Sequence, residues 1–436
     1  MTVLNDPHDT NVSGALRAKM PRRRHLLVVG CGFPQLGIIR AAKRLGYEVT
    51  GADMNPNAVA VPAVDHFLQA STGDVDGICD AFKRSGAQAM ATSGSELALT
   101  TTSLATDRLG LPFYADVDTV FRCQAKDAMR GCYRDAGLET PAFVSCRSEA
   151  EARRFIDTWG LPVVMKPSRG WGQRGVSLVC DPEQISAAFG RAAQASHGND
   201  DVVVEQFIEG HEVSVNGWVD DGVFTAYCVT DREVFSGLAP LGVMRSEISP
   251  SRLPEQQVAL AIETAAKSAK ALGLKRGPCY CQVALHKERA VLFETAARLG
   301  GGFDADVTKL ASGVDLYERL LAVAFDDPSG DVGGRAHALK PAMVRFLKSP
   351  PGVLTALEGL DQARAMPGVV QAEVYPPVQA ELPGLLNAAC RVGHLLVTGD
   401  TREQMLERAD RAETTIHLVV QPSAHDTATR GKRGQS

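Results

Sequence analysis

From His25 onward, short apolar runs alternate with helical spacings. Leu26–Val29 is an unbroken apolar run of strand length, and Leu36, Ile39, Ala42 and Leu45 follow at the three-and-four spacing of one helical face. Gly46 is placed to end that helix, Glu48–Ala52 reads as the next strand, and Asp53 follows it. This is a β-α-β unit, which predicts a parallel sheet. Ala87–Thr92 supplies another strand before Ser93-Gly94-Ser95-Glu96. After Pro141 and Pro162 the rhythm changes. Strand-like runs now come in pairs: Leu161–Lys166 with Val176–Val179, then Val202–Ile208 with Val213–Val219, and Asp220-Asp221-Gly222 is a hairpin turn before Val223–Val229. A helix is predicted from about Pro254, which suits a first turn, to Leu272. Val258, Ile262, Ala265, Ala269 and Leu272 line its face and Gly273 ends it. A further hairpin pairs Tyr280–Leu285 with Ala290–Glu294. From about Gly333 to Val420, short strands and one helix near Glu403–Ile416 suggest an accessory lobe. Residues 1–21 and 421–436 are polar, lack periodicity and read as tails.

The chain has 436 residues, a length that suggests about three domains. Lysine and arginine number 46 against 51 acids, so the net charge is −5; the charged and hydrophobic fractions, 22% and 44%, exclude a wholly disordered or collagen-like chain. A mildly acidic balance argues against a nucleic-acid partner. No run reaches the ~18 apolar residues of a membrane span. Arg22-Arg23-Arg24 precedes an apolar run too short for a signal peptide, which flows directly into Gly30-Cys31-Gly32. The ten cysteines form no C-x-x-C pair, and scattered free thiols fit a reducing, cytoplasmic compartment.

Four segments could carry chemistry. Gly30, Gly32 and Gly37, with Asp53 after the next strand, are similar to a dinucleotide turn, though the last gap is two residues too long; a tight turn that binds nothing is the alternative. In Lys166-Pro167-Ser168-Arg169-Gly170-Trp171-Gly172-Gln173-Arg174-Gly175, a lysine ends an apolar strand before a glycine-rich loop. Such a loop lets backbone N–H groups approach phosphates, or is simply a surface hairpin. Glu205-Gln206-Phe207-Ile208-Glu209-Gly210-His211-Glu212 ends a strand in carboxylates: Glu212 could hold ribose hydroxyls and the Gln206–Ile208 backbone an adenine edge, unless these are solvated acids. Finally, if Lys287-Glu288-Arg289 is a three-residue turn, Gln282 faces Glu294 at ~4.5–5.5 Å, which suits two oxygen donors sharing Mg²⁺. Arg298 and Gly300-Gly301-Gly302 follow, the arginine placed to clamp a phosphoryl group.

In this order, the segments resemble the ATP-grasp superfamily of carboxylate–amine ligases, over about His25 to Pro328. The Gly277-Pro278-Cys279-Tyr280-Cys281-Gln282 run is similar to carbamoyl phosphate synthetases, and Arg391-Val392-Gly393-His394 with Thr398-Gly399-Asp400-Thr401 to L-amino-acid (dipeptide) ligases. The resemblance implies an N-terminal parallel-sheet, Rossmann-like α/β domain over 22–122, a two-lobed α+β ATP-grasp domain over 123–330 with its lid lobe at about 140–205, and a C-terminal α+β lobe over 331–420. It also makes the first glycine turn something other than a dinucleotide site.

The implied chemistry is attack of a carboxylate on the γ-phosphate of ATP, then attack of an amine on the acylphosphate, releasing ADP and phosphate. The acid is expected to be an amino acid or similar. Lys126 and Lys166 are assigned to the phosphates, with Ser168, Gly172, Gln173 and Gly175 in the covering loop. Glu205, Gln206, Phe207, Ile208 and Glu212 go to the nucleoside, Gln282 and Glu294 to one or two Mg²⁺ (Mn²⁺ as a substitute), and Arg298 and Lys166 to catalysis. Glu96, Arg245, Arg298 and Gly301 are candidate substrate residues. The acid and amine are the small-molecule partners, and a homodimer is a family-level expectation. The family's Glu-x-Asn-Pro-Arg metal pattern reads Glu294-Thr295-Ala296-Ala297-Arg298 here, which leaves the number of ions open. Carboxyphosphate chemistry of the biotin carboxylase or carbamoyl type, and a catalytically silent ATP-binding protein, are the alternatives.

Overall fold

The computed structural model describes residues 23–168, 173–196, 201–235, 242–327 and 339–422. The first unit contains β1 (His25–Val29), α1 (Phe33–Arg44), β2 (Glu48–Asp53), β3 (His66–Gln69), α2 (Val75–Ser85), β4 (Ala89–Ala91), α3 (Glu96–Leu109), α4 (Val117–Gln124) and α5 (Lys126–Asp135). Its four strands run parallel in the order β3-β2-β1-β4. Helix starts are capped by side chains: Asp74, Ser95 and Asp116 each accept from a backbone N–H of the first turn.

The lid follows: β5 (Phe143–Cys146), α6 (Glu149–Trp159), β6 (Val163–Pro167), β7 (Ser177–Val179), α7 (Ile185–Gln194) and β8 (Val202–Gln206). The antiparallel sheet β5-β8-β6-β7 buries Val163, Met165, Val202 and Val204 against Phe155, Ile156, Ala188 and Ala192 of its two helices.

The remaining elements are β9 (His211–Asp220), β10 (Val223–Val234), β11 (Met244–Ser249), α8 (Glu255–Leu272), β12 (Gly277–His286), β13 (Arg289–Ala296), α9 (Asp304–Ser312), α10 (Leu316–Ala324), β14 (Ala342–Leu347), β15 (Pro351–Glu358), α11 (Leu360–Arg364), β16 (Val369–Val374), β17 (Glu381–Pro383), β18 (Gly393–Thr398), α12 (Arg402–Thr415) and β19 (His417–Gln421). An eight-stranded sheet runs β13-β12-β9-β10-β11-β14-β18-β16. On it α8 packs Ala261, Ala265, Ala269 and Leu272 over Val213, Val215, Cys279, Cys281 and Val283. A small stripe of alanines lets the helix approach closely, and Gly273 in the left-handed region ends it.

Three expectations change. β8 and β9 do not pair with each other: Val202 and Val204 face the lid core, Val213 and Val215 the core under α8, and the chain crosses between sheets over residues 207–210. The β12–β13 turn has two residues, Lys287 and Glu288, since His286 pairs with Arg289. That register alone would miss Gln282 by one residue, but a bulge at Phe293 restores it, and Gln282 does face Glu294. Pro254 precedes α8 as its N-cap and is not within it. The C-terminal segment is joined to the rest through β11: β14, β18 and β16 continue the sheet of β9–β13, while β17-β15-β19 form a separate small sheet.

Candidate active site

Lys126 opens α5 after the break at Ala125, and burial lowers its pKa although Glu294, Glu205 and Glu96 oppose that shift. Lys166 is next to last in β6. Its ammonium donates to Glu205 Oε1 at 2.6 Å, with the side chain 14% exposed. Arg130, one helical turn beyond Lys126, donates to Glu205 Oε2 at 3.0 Å and to the Leu292 carbonyl. Glu205 is thus held by two cations from different elements, which keep its pKa below the usual range despite its burial. Desolvation pulls Lys166 down to about 8, with Glu205 opposing and Arg130 and Lys126 adding to the shift.

In the glycine-rich loop, Ser168 donates its N–H to the Asp201 carbonyl. Gln173 and Gly175 have positive φ, and a Cβ on Gly175 would press on Ala195 at the end of α7. Gly172, with 169–171, lies outside the described residues. Beyond β8, the Gln206 N–H donates to the Ala142 carbonyl and the Phe207 N–H to Pro162 at 3.3 Å. The adenine-edge reading of this backbone therefore rests on Ile208 and not on all three N–H groups. Glu212, in β9, accepts from Arg232 Nη1 at 2.9 Å and from Gln282 Nε2 at 2.8 Å, so its carboxylate turns to the β12–β13 hairpin. The Gln282 amide nitrogen is thus engaged with Glu212, and Glu294 is the cross-strand partner of Gln282.

Arg298 follows β13. Its Nε–H meets Glu96 Oε1 at 2.6 Å, its Nη1 the Leu299 carbonyl, and its guanidinium lies 5.7 Å from the Tyr280 ring centre. Burial disfavours its charge, but Glu96 and Glu294 outweigh that and raise its pKa. Glu96 Oε2 is buried with no hydrogen-bond partner, while Arg298 holds its sister oxygen. Gly301 packs on Gly94, where a Cβ would stand 2.8 Å from the Gly94 carbonyl; this seam joins the first unit to the large sheet. Arg245 is not gathered here. It is 40% exposed and turns to Glu413 of α12 at 3.3 Å.

The sequence reading missed Arg130 and Arg232. The signal for Arg130 was its four-residue spacing from Lys126, which places both on one helical face. Arg232 carried none, since only the pairing of β10 with β9 brings it to Glu212. The first glycine turn is filled from within: Asp53 accepts the Cys31 N–H, Gln35 accepts that of Gly32, and a Cβ on Gly30 would strike Gln35. Its N–H groups are satisfied by the protein itself, against a dinucleotide site. Cys279 and Cys281 are buried, with sulfurs 3.8 Å apart, and among the described residues no group of three or more His, Cys, Asp and Glu side chains forms a metal cluster.

Lys126, Lys166, Arg130, Arg232 and Arg298 are linked with Glu96, Glu205, Glu212 and Glu294 by ion pairs and charge–charge contacts into one set of alternating sign. Such a set suits a polyanion shared with a metal, and fold and site together define an ATP-grasp ligase. The chain is similar to the ATP-grasp carboxylate–amine ligases: the ATP-binding domain of the carbamoyl-phosphate synthase L chain matches residues 124–328, and L-amino acid ligase C-terminal domain 2 matches residues 345–421. An uncharacterized protein of Sinorhizobium fredii is 25% identical over 398 residues, 88% of this chain and 78% of that one. Alanine–anticapsin ligase of Bacillus subtilis is 26% identical over 260 residues, 55% of this chain and about half, 54%, of that one. The structure of L-amino acid ligase from Bacillus licheniformis shares the fold with a TM-score of 0.77 at 20% identity, covering 92% of this chain and 99% of that one. No helix among the described residues is long and apolar enough to cross a membrane.

Proposed function

We propose that the chain activates a small carboxylic acid, an amino acid foremost, as an acylphosphate with ATP and joins it to an amine, releasing ADP and phosphate. The observation that carries this reading is the placement of Arg298 between Glu294 and Glu96. One guanidinium there adjoins both a candidate metal carboxylate and a candidate ammonium acceptor.

Lys126 and Lys166 neutralise the phosphates, and the segment over Ser168, Gln173 and Gly175 covers them. Ile208 and Glu212 meet the nucleoside, Glu212 sharing its carboxylate with Arg232. The fit to Mg²⁺ is adequate: Gln282 offers its amide oxygen and Glu294 a carboxylate from facing positions, and Mg²⁺ keeps waters and takes phosphate oxygens for the rest. One or two ions would be held, with Mn²⁺ able to substitute. When bound, the metal offsets charge on the phosphates. Arg298 steadies the transferred phosphoryl group, the unpartnered Glu96 oxygen takes a substrate ammonium, and Gly301 leaves room for substrate beside the seam.

The test is a screen of amino-acid pairs with Mg-ATP, read as phosphate and ADP. Amide product with ADP and phosphate supports the proposal; AMP and pyrophosphate would refute the acylphosphate route. Bicarbonate-stimulated turnover without an amino acid would shift the reading to carboxyphosphate chemistry. The likeness of the fold to that of biotin carboxylase from Campylobacter jejuni gives that second reading its place in the screen.

A further inference from the structure

The C-terminal segment brings near Arg232 and Asp304 one arginine that the preceding assignment does not use. Arg391 lies two residues before β18. Its Nε–H donates to the Ala388 carbonyl at 2.8 Å, and its guanidinium carbon stands 3.6 Å from the centre of the Phe346 ring on β14. One edge and one face of the guanidinium are thereby fixed. The residue is only partly buried, and among the described residues it joins no ion pair. An arginine held this way presents a rigid fork of N–H groups matched to a carboxylate.

Its surroundings belong to the site. Tyr375, Arg232 of β10, and the carboxyls of Asp304 and Glu247 face it. Asp304 also acts on Arg298, so the two arginines share a neighbour. The Gly302 N–H donates to Asp304 Oδ2 at 2.9 Å, while Oδ1 is buried without a partner. The wall around this place is stiff. Phe303 stacks on His394 at 3.9 Å, His394 Nδ1 bonds the Tyr375 hydroxyl at 2.8 Å, and the Tyr375 ring lies 3.5 Å from that of Phe33. Burial, with Arg232 adding and Tyr375, Asp304 and Glu247 opposing, lowers the Arg391 pKa to about 10, which leaves it charged at neutral pH.

We infer that Arg391 is a specificity-determining residue of the acceptor subsite, pairing through its two terminal nitrogens with a carboxylate on the amine-bearing substrate. The inference rests on the ligase reading and deepens it, because it requires the acceptor to carry its own carboxylate. The same fork could instead take a phosphate, and the kinetic arms below separate the two.

The test uses the full chain, with Arg391→Met and Arg391→Lys, in phosphate release with Mg-ATP and one acid donor. Each variant is given two acceptors, alanine and ethylamine, which differ by the carboxylate. The expected result for Arg391→Met is a fall of at least tenfold in the ratio of kcat/KM for alanine over ethylamine, carried by KM, with partial recovery in Arg391→Lys. An unchanged ratio, or an equal loss with both acceptors, would overturn the inference. So would an equal rise in the KM of ATP, which would give the guanidinium to phosphate. If the wild-type chain releases phosphate with no acid–amine pair, the ligase reading itself fails. The anchor is then decided by calorimetry of alanine with the protein and a non-hydrolysable ATP analogue: binding at least tenfold weaker in Arg391→Met supports it, and equal binding overturns it.

Discussion

Arg298 and Glu96 form an ion pair at 2.6 Å that ties the end of the β12–β13 hairpin to the first turn of α3. Both side chains are largely buried, at 13% and 17% exposure, so each depends on the other to offset its desolvation. Glu96→Gln keeps the shape and removes the charge. It should lower kcat/KM by about ten- to a thousandfold, or ~1.4–4 kcal/mol, with a rise in KM for the substrate whose ammonium meets Oε2. Phosphate-release kinetics at varied acid and amine would show it; an unaltered KM for both substrates would remove Glu96 from the substrate site.

Lys166 gives the site a pH dependence. Its charge is needed to meet phosphate, and burial brings its pKa down from 10.5 to about 8. As pH rises through about 8 the free protein loses that charge, so affinity for Mg-ATP should fall above this point, and Lys166→Arg should abolish the inflection. The stability sign is the reverse. Between about 8 and 10.5 the unfolded chain binds the proton that the folded chain has released, so this residue's destabilising contribution, full below pH 8, is relieved as pH rises. Calorimetry of Mg-ATP binding between roughly pH 6.5 and 9.5 checks the first claim, and an inflection that persists in Lys166→Arg would refute it.

The facing of Gln282 and Glu294 predicts unequal metal effects. Glu294→Gln removes the only carboxylate of the pair and should raise the Mg²⁺ concentration for half-maximal phosphate release at least tenfold. Gln282→Glu adds a charge beside Glu212 and Glu294. It should lower that concentration while weakening the Gln282–Glu212 hydrogen bond. Mg²⁺ titrations of both variants give the comparison, and equal responses would mean that neither residue holds the ion.

The parts of this molecule legible in its sequence are those that local periodicity decides. β1 is an unbroken apolar run buried on both faces, α1 and α8 each carry an apolar face, and these elements stand as read except that α8 begins after Pro254. The β8–β9 relationship was not legible: Val202 and Val204 alternate as Val213 and Val215 do, and the difference lies in which core each faces after the chain crosses at 207–210. Gln282 and Glu294 were matched by a turn of the wrong length, and a bulge that no turn signal announces corrected the register. Arg130 could have been found from helical spacing. Arg232, Asp304 and Arg391 come near the site residues only through strand pairings and packing far along the chain, so no local pattern marks them.

Gly37 offers a test of how the first unit is seated. It lies in α1, and a Cβ built there would overlap the Tyr317 ring of α10. Tyr317 is buried, and its hydroxyl donates to Asp306 Oδ2 at 2.8 Å, so the ring cannot swing aside without losing that bond. Gly37→Ala improves helix propensity by ~1 kcal/mol, but overpacking a closed core costs ~1–3 kcal/mol, and with Tyr317 held the second effect should win. The variant is expected to lose up to about 2 kcal/mol in urea unfolding. In a Tyr317→Leu background the ring is gone and only the propensity gain remains, so the same substitution should become neutral or stabilising. A loss of equal size in both backgrounds would mean that the α1–α10 contact does not set the glycine requirement.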